Sequence, residues 1–247
     1  VEAEILTDDL RADNGWKPDF EALEKMDLSG VKIMWTNYPN MPTGASATDE
    51  LYADLVAFGK RHGILICNDN PYSFILNENP LSILSQPGAK ECCLELNSLS
   101  KAHNMAGWRI GMVAADEQVI SQILKVKSQM DSGMFKPLQL AAVKALEQGS
   151  GWFTELNDEY RRRRVLAGAI FDMLGVEYDH SSAGMFLWGK VPQDVQATEE
   201  ISIGQVLSDR ILYDAGVFIT PGFIFGKNGE DYIRISLCAK PETLREA

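Results

Sequence analysis

The stretch NSLSKAHNMAGWRIG, residues 97–111, decides how this chain is read. It follows CCLEL at 92–96, an apolar run of strand length, and a buried strand hands the residues after it to its carboxyl end, where open α/β sheets bind ligands. Lys101 and Arg109 both stand in this stretch. A lysine amine kept from full hydration loses its proton and forms an imine with an aldehyde, while an arginine offers a fixed fork of donors suited to phosphate. Together the two side chains point to an aldehyde that carries a phosphate.

Upstream, residues 64–67 read as a short strand ending in NDNPY, 68–72, so that Asp69 and Tyr72 also stand at a strand end. Residues 31–35 read as a third strand, followed by NYPNMPTG at 37–44, whose two prolines and glycine make a rigid turn. Ser46 or Thr48 then opens a helix through residue 61, with Leu51, Leu55 and Phe58 on one face. Helices between strands predict a parallel sheet, and three successive strand ends would deliver polar groups to one edge of it. At the amino end, 1–5 reads as a strand already in progress, 6–17 as a polar loop and 18–26 as a short amphipathic helix.

Downstream, 109–115 reads as another strand and 117–130 and 137–146 as helices. Gly149-Ser150-Gly151 is the clearest break, and the domain boundary is expected there, dividing the chain into 1–149 and 150–247. A helix over 152–174 carries Arg161, Arg162, Arg163 and Arg164. A helix spreads four consecutive side chains around more than half a turn, and Asp158 and Glu159 stand within pairing range, so a solvated or interdomain face is the reading, not a nucleic-acid patch. Strands over 176–178, 185–191, 217–220 and 232–238, with a helix over 201–215, give a small α+β domain. The expected fold class is α/β: a three-layer, doubly wound, mostly parallel sheet with a small carboxyl-terminal α+β domain.

Composition agrees with a folded enzyme-sized chain. The 247 residues are 45% hydrophobic and 23% charged, enough to bury a substantial core. A net charge of −12 opposes attraction to nucleic acid or anionic lipid. Cys67, Cys92, Cys93 and Cys238 lie in apolar strand-like runs without zinc-site spacing, which reads as reduced core cysteines of a cytoplasmic protein with no metal site. No apolar run reaches the roughly 18 residues of a membrane span.

Five motifs in order, PNMPTG at 39–44, DNPY at 69–72, SLSKAHNMAGWRIG at 98–111, PGFIFG at 221–226 and YIRISL at 232–237, resemble the fold type I pyridoxal-phosphate aminotransferases of class I/II, the relatives of aspartate aminotransferase. The resemblance spans nearly the whole chain. It implies pyridoxal 5'-phosphate as cofactor and transfer of an amino group between an L-amino acid and a 2-oxo acid. Lys101 would form the imine with the cofactor and shuttle the substrate proton. Asp69 would keep the pyridine nitrogen protonated, and Tyr72 would bond the ring's phenolic oxygen. Ser98 and Arg109 would grip the phosphate, and Arg234 would fork onto the substrate carboxylate.

This sequence departs from the family in two places. Met41 stands directly before Pro-Thr-Gly, where most members have asparagine, and a thioether cannot donate a hydrogen bond. Asn40, one residue earlier, is the candidate in its place. Family members are also longer at the amino end, where they carry a Gly/Ser-rich phosphate loop and an aromatic that stacks on the ring. The chain is therefore expected to be a fragment covering roughly the last two thirds of such an enzyme, needing association to cover its exposed sheet. The resemblance implies a homodimer. The competing readings are a carbon–sulfur β-lyase of the same fold and a catalytically silent fragment.

Overall fold

A computed structural model of the chain describes residues 3–197 and 200–247. Its elements, in chain order, are helix α1 (Phe20–Leu23), strand β1 (Ile33–Asn37), helix α2 (Asp49–His62), β2 (Leu65–Asp69), β3 (Cys93–Ser98), α3 (Leu99–Ala102), β4 (Gly111–Ala115), α4 (Glu117–Met130), α5 (Lys136–Leu146), α6 (Ser150–Met173), β5 (Glu177–Tyr178), β6 (Phe186–Lys190), α7 (Ile203–Ala215), β7 (Thr220–Pro221), β8 (Tyr232–Ser236) and α8 (Pro241–Glu246). They fall into two compact units, one of Val31–Arg162 with Ser182–Met185, the other of the residues up to Gly30, Arg163–Ser181 and Phe186–Ala247.

The first unit holds a sheet ordered β1-β2-β3-β4. β1, β2 and β3 pair in parallel, and β4 returns antiparallel to β3. A parallel return needs a crossover that carries the chain back along the sheet. Only the short α3 and a single 3-10 turn at Ala106–Trp108 separate β3 from β4, so the chain reverses instead. The sheet is thus mostly parallel, as expected. Helix α2 is capped by Thr48, whose side chain accepts from the Leu51 N–H at 3.2 Å, and ends at Gly63 in the left-handed region. It lies so close to β2 that a Cβ on Gly59 would come within 2.9 Å of the Ile66 side chain. Leu51, Leu55, Val56 and Phe58 are buried in that contact layer.

Under α2 the sheet carries a row of polar side chains in register, Thr36 opposite Asn68 and Asn68 opposite Glu95. Thr36 Oγ1 donates to Asn68 Oδ1 at 3.1 Å, and Asn68 Nδ2 donates to Tyr52 Oη at 3.1 Å and Glu95 Oε2 at 3.4 Å. Glu95 Oε2 also accepts from the Ile83 N–H at 3.0 Å. These bonds satisfy groups whose isolated burial would be costly, and they tie three strands to α2. Burial, and then the neighbouring Glu95, push the Tyr52 hydroxyl pKa upward, so it stays a neutral partner.

The second unit is a sheet ordered β5-β6-β8-β7, antiparallel throughout. With α7 and the later part of α6 it forms the expected α+β arrangement around Phe171, Leu187, Ile233 and Leu237. The amino-terminal segment belongs here, although the sequence reading groups it with 1–149. Trp16 packs edge-on against Tyr232 at 5.4 Å and Trp188 at 6.4 Å, and Asn228 Nδ2 donates to the Leu10 carbonyl at 3.0 Å. The expected boundary near Gly149 falls inside the first unit, before the division at Arg162.

Other differences are local. The strand expected over 1–5 is not formed at residues 3–5, which pair with no neighbour, and Val1 and Glu2 lie outside the described residues. The expected helix over 18–26 shortens to Phe20–Leu23, capped by Asp19. Cys67, Cys92 and Cys93 are buried as expected, but Cys238 follows the end of β8 and is exposed. The arginine run divides: Arg161 and Arg162 pair with Asp158 at 2.6 Å and Glu159 at 3.0 Å, while Arg163 and Arg164 donate to the carbonyls of Leu237 at 3.2 Å and His180 at 3.1 Å. Among the described residues no helix is long and apolar enough to cross a membrane.

Candidate active site

Because β1, β2 and β3 are parallel, their carboxyl ends share one edge, at Asn37, Asp69 and Ser98. Register fixes which face each side chain takes. Asn37 lies opposite Asp69 and Asp69 opposite Leu96, and Ser98 is two residues on along β3, so Asn37, Asp69 and Ser98 point to one face. That face is opposite the one under α2.

Asp69 carries its carboxyl at the exposed rim, with enough protein around it to raise its pKa above the ordinary carboxylate value through desolvation. Tyr72 follows in a turn closed by the Ile75 N–H donating to the Tyr72 carbonyl at 3.0 Å, and is buried. Ser98 caps α3: its Oγ accepts from the Ser100 N–H at 3.1 Å and lies 2.8 Å from Ser100 Oγ. Lys101 sits on α3, half-buried, one turn beyond that cap. Arg109 is exposed, donates to the Ala106 carbonyl at 3.0 Å, and holds a backbone φ of 53°. Asn104, in the same loop, also has φ 53°. Two non-glycine residues in this sparsely occupied region mark a loop whose shape is imposed by its surroundings.

Asn40 is engaged locally. Its Oδ1 accepts from Thr43 Oγ1 at 2.7 Å, its Nδ2 donates to the Asn37 carbonyl at 3.3 Å, and its backbone bonds Ala45 and Gly44. It braces the turn, with both ends of its amide inside it. The residue that the sequence reading missed is Asn37, whose Nδ2 donates to the Asp69 carbonyl at 2.7 Å and whose Oδ1 accepts from the Met41 N–H at 2.8 Å. It links the 37–44 turn to the strand end bearing Asp69. The available signal was its place as first residue of that turn, directly at a strand end. The turn docks on Ser182–Met185: the Ala183 N–H donates to the Gly44 carbonyl at 2.8 Å, and a Cβ on Gly44 would come 2.6 Å from Ser182 Cβ.

Arg234 belongs to the other compact unit. On β8 its guanidinium lies over the rings of Phe186 at 4.2 Å and Phe225 at 4.6 Å from their centroids. Aromatic faces attract and flatten a guanidinium, leaving its edge as the donor fork.

A lysine following a parallel strand end, a carboxylate and a serine on one face of that edge, and the surrounding motifs recur in a known family, whose sequence model, aminotransferase class I and II, matches residues 2–247. The chain belongs to the aminotransferase class I and II family. The LL-diaminopimelate aminotransferase of Natranaerobius thermophilus is 40% identical over 240 residues, 96% of this chain and 60% of that protein. The enzyme of the same name from Aquifex aeolicus is 38% identical over 240 residues, with the same coverages. Among solved structures, apo-BacF from Bacillus subtilis superposes with a TM-score of 0.89 at 35% identity, covering 98% of this chain and 61% of that one. The chain thus spans about three fifths of the length of these relatives.

Members of the aminotransferase class I and II family depend on pyridoxal 5'-phosphate, and the donor set fits that group. A carboxyl at the strand end is the group that can pair with a protonated ring nitrogen, Lys101 is a primary amine beyond the next strand end, and Ser98 and Arg109 are hydroxyl and guanidinium donors for a phosphate.

Proposed function

We propose that the protein to which this chain belongs is a pyridoxal-phosphate-dependent aminotransferase that moves an amino group between an L-amino acid and a 2-oxo acid. The observation that carries the reading is the shared edge of β1, β2 and β3, where register sends Asp69 and Ser98 to one face and the chain then delivers Lys101. When bound, pyridoxal phosphate supplies an electron sink for the charge left at the substrate Cα. Asp69 holds the proton on the ring nitrogen, Tyr72 donates to the phenolic oxygen, and Asn37 holds the Asp69 backbone against the 37–44 turn. Ser98 and Arg109 bind the phosphate. Lys101 would hold the cofactor through its amine and, with that amine released when the substrate amine takes its place, would carry the proton away from the substrate Cα as an ammonium. Arg234, its plane set by Phe186 and Phe225, binds the substrate carboxylate.

The class I and II membership favours transamination over carbon–sulfur lysis. Several relatives are named LL-diaminopimelate aminotransferases, and we take a diamino dicarboxylic acid as the first amino donor to test. A cytoplasmic homodimer is part of the same reading.

Addition of pyridoxal phosphate, trapping with borohydride and mapping of the modified peptide tests the site. The expected label is on Lys101; a label elsewhere removes the assignment. Release of a keto product without ammonia separates transamination from lysis, and absence of any label favours a silent fragment.

A further inference from the structure

Three residues at the start of α6 hold the two site loops that the sheet itself leaves unpaired. The β2–β3 ladder ends with the Asn70 N–H donating to the Leu96 carbonyl at 2.8 Å, so Tyr72 and Lys101 lie beyond the reach of strand pairing. On the Tyr72 side, Asn157 Nδ2 donates to the Phe74 carbonyl at 3.0 Å, and Asn157 Oδ1 accepts from the Leu76 N–H at 2.7 Å. Leu76 has φ 48°, a conformation that leucine adopts only where something outside its own backbone stabilises it. On the Lys101 side, Trp152 Nε1 donates to the carbonyl of the adjacent Ala102 at 2.8 Å, and the His103 ring lies parallel to Trp152 at 6.4 Å. Phe153 touches both loops at once. Its ring stacks on Phe74 at 4.8 Å and meets His103 edge-on at 5.4 Å.

We infer that Trp152, Phe153 and Asn157 are positioning residues that set the spacing between the loop of Asp69 and Tyr72 and the loop of Lys101. The inference rests on the proposed reading of those three residues as the site. One rigid helix grips both loops within two turns, Trp152 holding one and Asn157 the other, and the phenyl ring of Phe153 touches both. Burial lowers the His103 pKa, so the ring that meets Phe153 and Trp152 is a neutral plane, not a second cation beside Lys101.

The test uses the 247-residue chain without cofactor and reads the two loops separately. Lys101 reactivity is followed by competitive acylation against pH with peptide mass spectrometry, taking exposed Lys125 as internal reference. Amide hydrogen exchange reports the Leu76 N–H. Trp152→Phe keeps a ring and removes the donor, and is expected to shift the Lys101 acylation curve while Leu76 exchange stays at the parent rate. Asn157→Leu is expected to speed Leu76 exchange roughly tenfold, as a local opening would, and to leave the Lys101 curve in place. Phe153→Leu, which keeps an apolar side chain but removes the ring, moves both readouts, and Phe153→Tyr, which keeps the ring, leaves both at the parent values. If Phe153→Leu lowers thermal stability but moves neither readout, or only one, the three residues are structural and the inference is overturned. An unshifted Lys101 curve in Trp152→Phe overturns it as well. Borohydride trapping with pyridoxal phosphate is run in parallel on the parent chain. A label away from Lys101 removes the site reading and the positioning role with it, whereas acylation and exchange shifts without that failure belong to the brace alone.

Discussion

Helices α2 and α4 are each 14 residues long and both have amphipathic sequences, yet α2 buries Leu51, Tyr52, Leu55, Val56, Phe58 and Gly59 while α4 buries none of its residues. The two faces of the sheet divide in the same way. Under α2 the polar row of Thr36, Asn68 and Glu95 is bonded and closed. On the other face Ile33 is 50% and Trp35 65% exposed, and that is the face toward which Asp69 and Ser98 point. A periodic apolar stripe therefore states that an element needs a partner, not that the partner lies in the same chain. The covered face is scaffold, and the residues we propose for the site, Asp69 and Ser98, lie on the uncovered one.

Substitutions can break this division. Lys101→Ala is expected to have the largest functional effect, abolishing borohydride-trapped cofactor while leaving the urea midpoint unchanged within error, since Lys101 is not one of the buried core residues. On the covered face, Leu55→Ala should cost about 3 kcal/mol, the usual range for a buried leucine that leaves a cavity, measured by urea unfolding. Tyr52→Phe removes one partner of Asn68 and should cost about 1 kcal/mol in the same assay. Leu124→Ala, the counterpart on α4, should change stability by less than about 0.5 kcal/mol, as an exposed position does. A loss as large as that of Leu55→Ala would mean that α4 is covered in solution and would erase the contrast.

The smallest effect tests the open face through pH. The Asp69 pKa is raised in the folded chain, so the folded state holds that proton more tightly than the unfolded state. Its contribution is therefore present below the ordinary carboxylate value of 3.8 and is lost as pH rises through the raised value. Asp69→Asn should flatten that part of the stability curve in cofactor-free chain, read as urea midpoints from acid to neutral pH. A curve unchanged by the substitution would show that the rim carboxyl is fully solvated.

Much of the scaffold was legible locally. Thr48 as a helix cap, the helix over 117–130 and the three strand ends each depend on residues within a few positions of one another, and periodicity reports those contacts directly. The motifs pointed to strand ends that the fold does bring to one edge, but the roles within the 37–44 turn were not legible. Asn40 and Asn37 are chemically identical, and only the folded turn reveals that Asn40 is consumed inside it while Asn37 reaches the strand of Asp69. The grouping of the first 30 residues with the antiparallel unit was illegible for a different reason. Trp16 meets Trp188 and Tyr232 from far along the chain, and no local pattern announces a partner at that separation.

Arg109 holds a left-handed backbone that glycine would adopt at no steric cost. A stability screen of this protein would therefore reward Arg109→Gly, by up to about 1 kcal/mol, and an engineer ranking variants by melting temperature alone would select it. The selected protein would have lost the guanidinium that donates to the Ala106 carbonyl and that we propose as a phosphate ligand. Backbone strain at this position thus works as a warning label: melting temperature registers the relief of strain but not what the Arg109 side chain does, and thermal screening should leave the position alone.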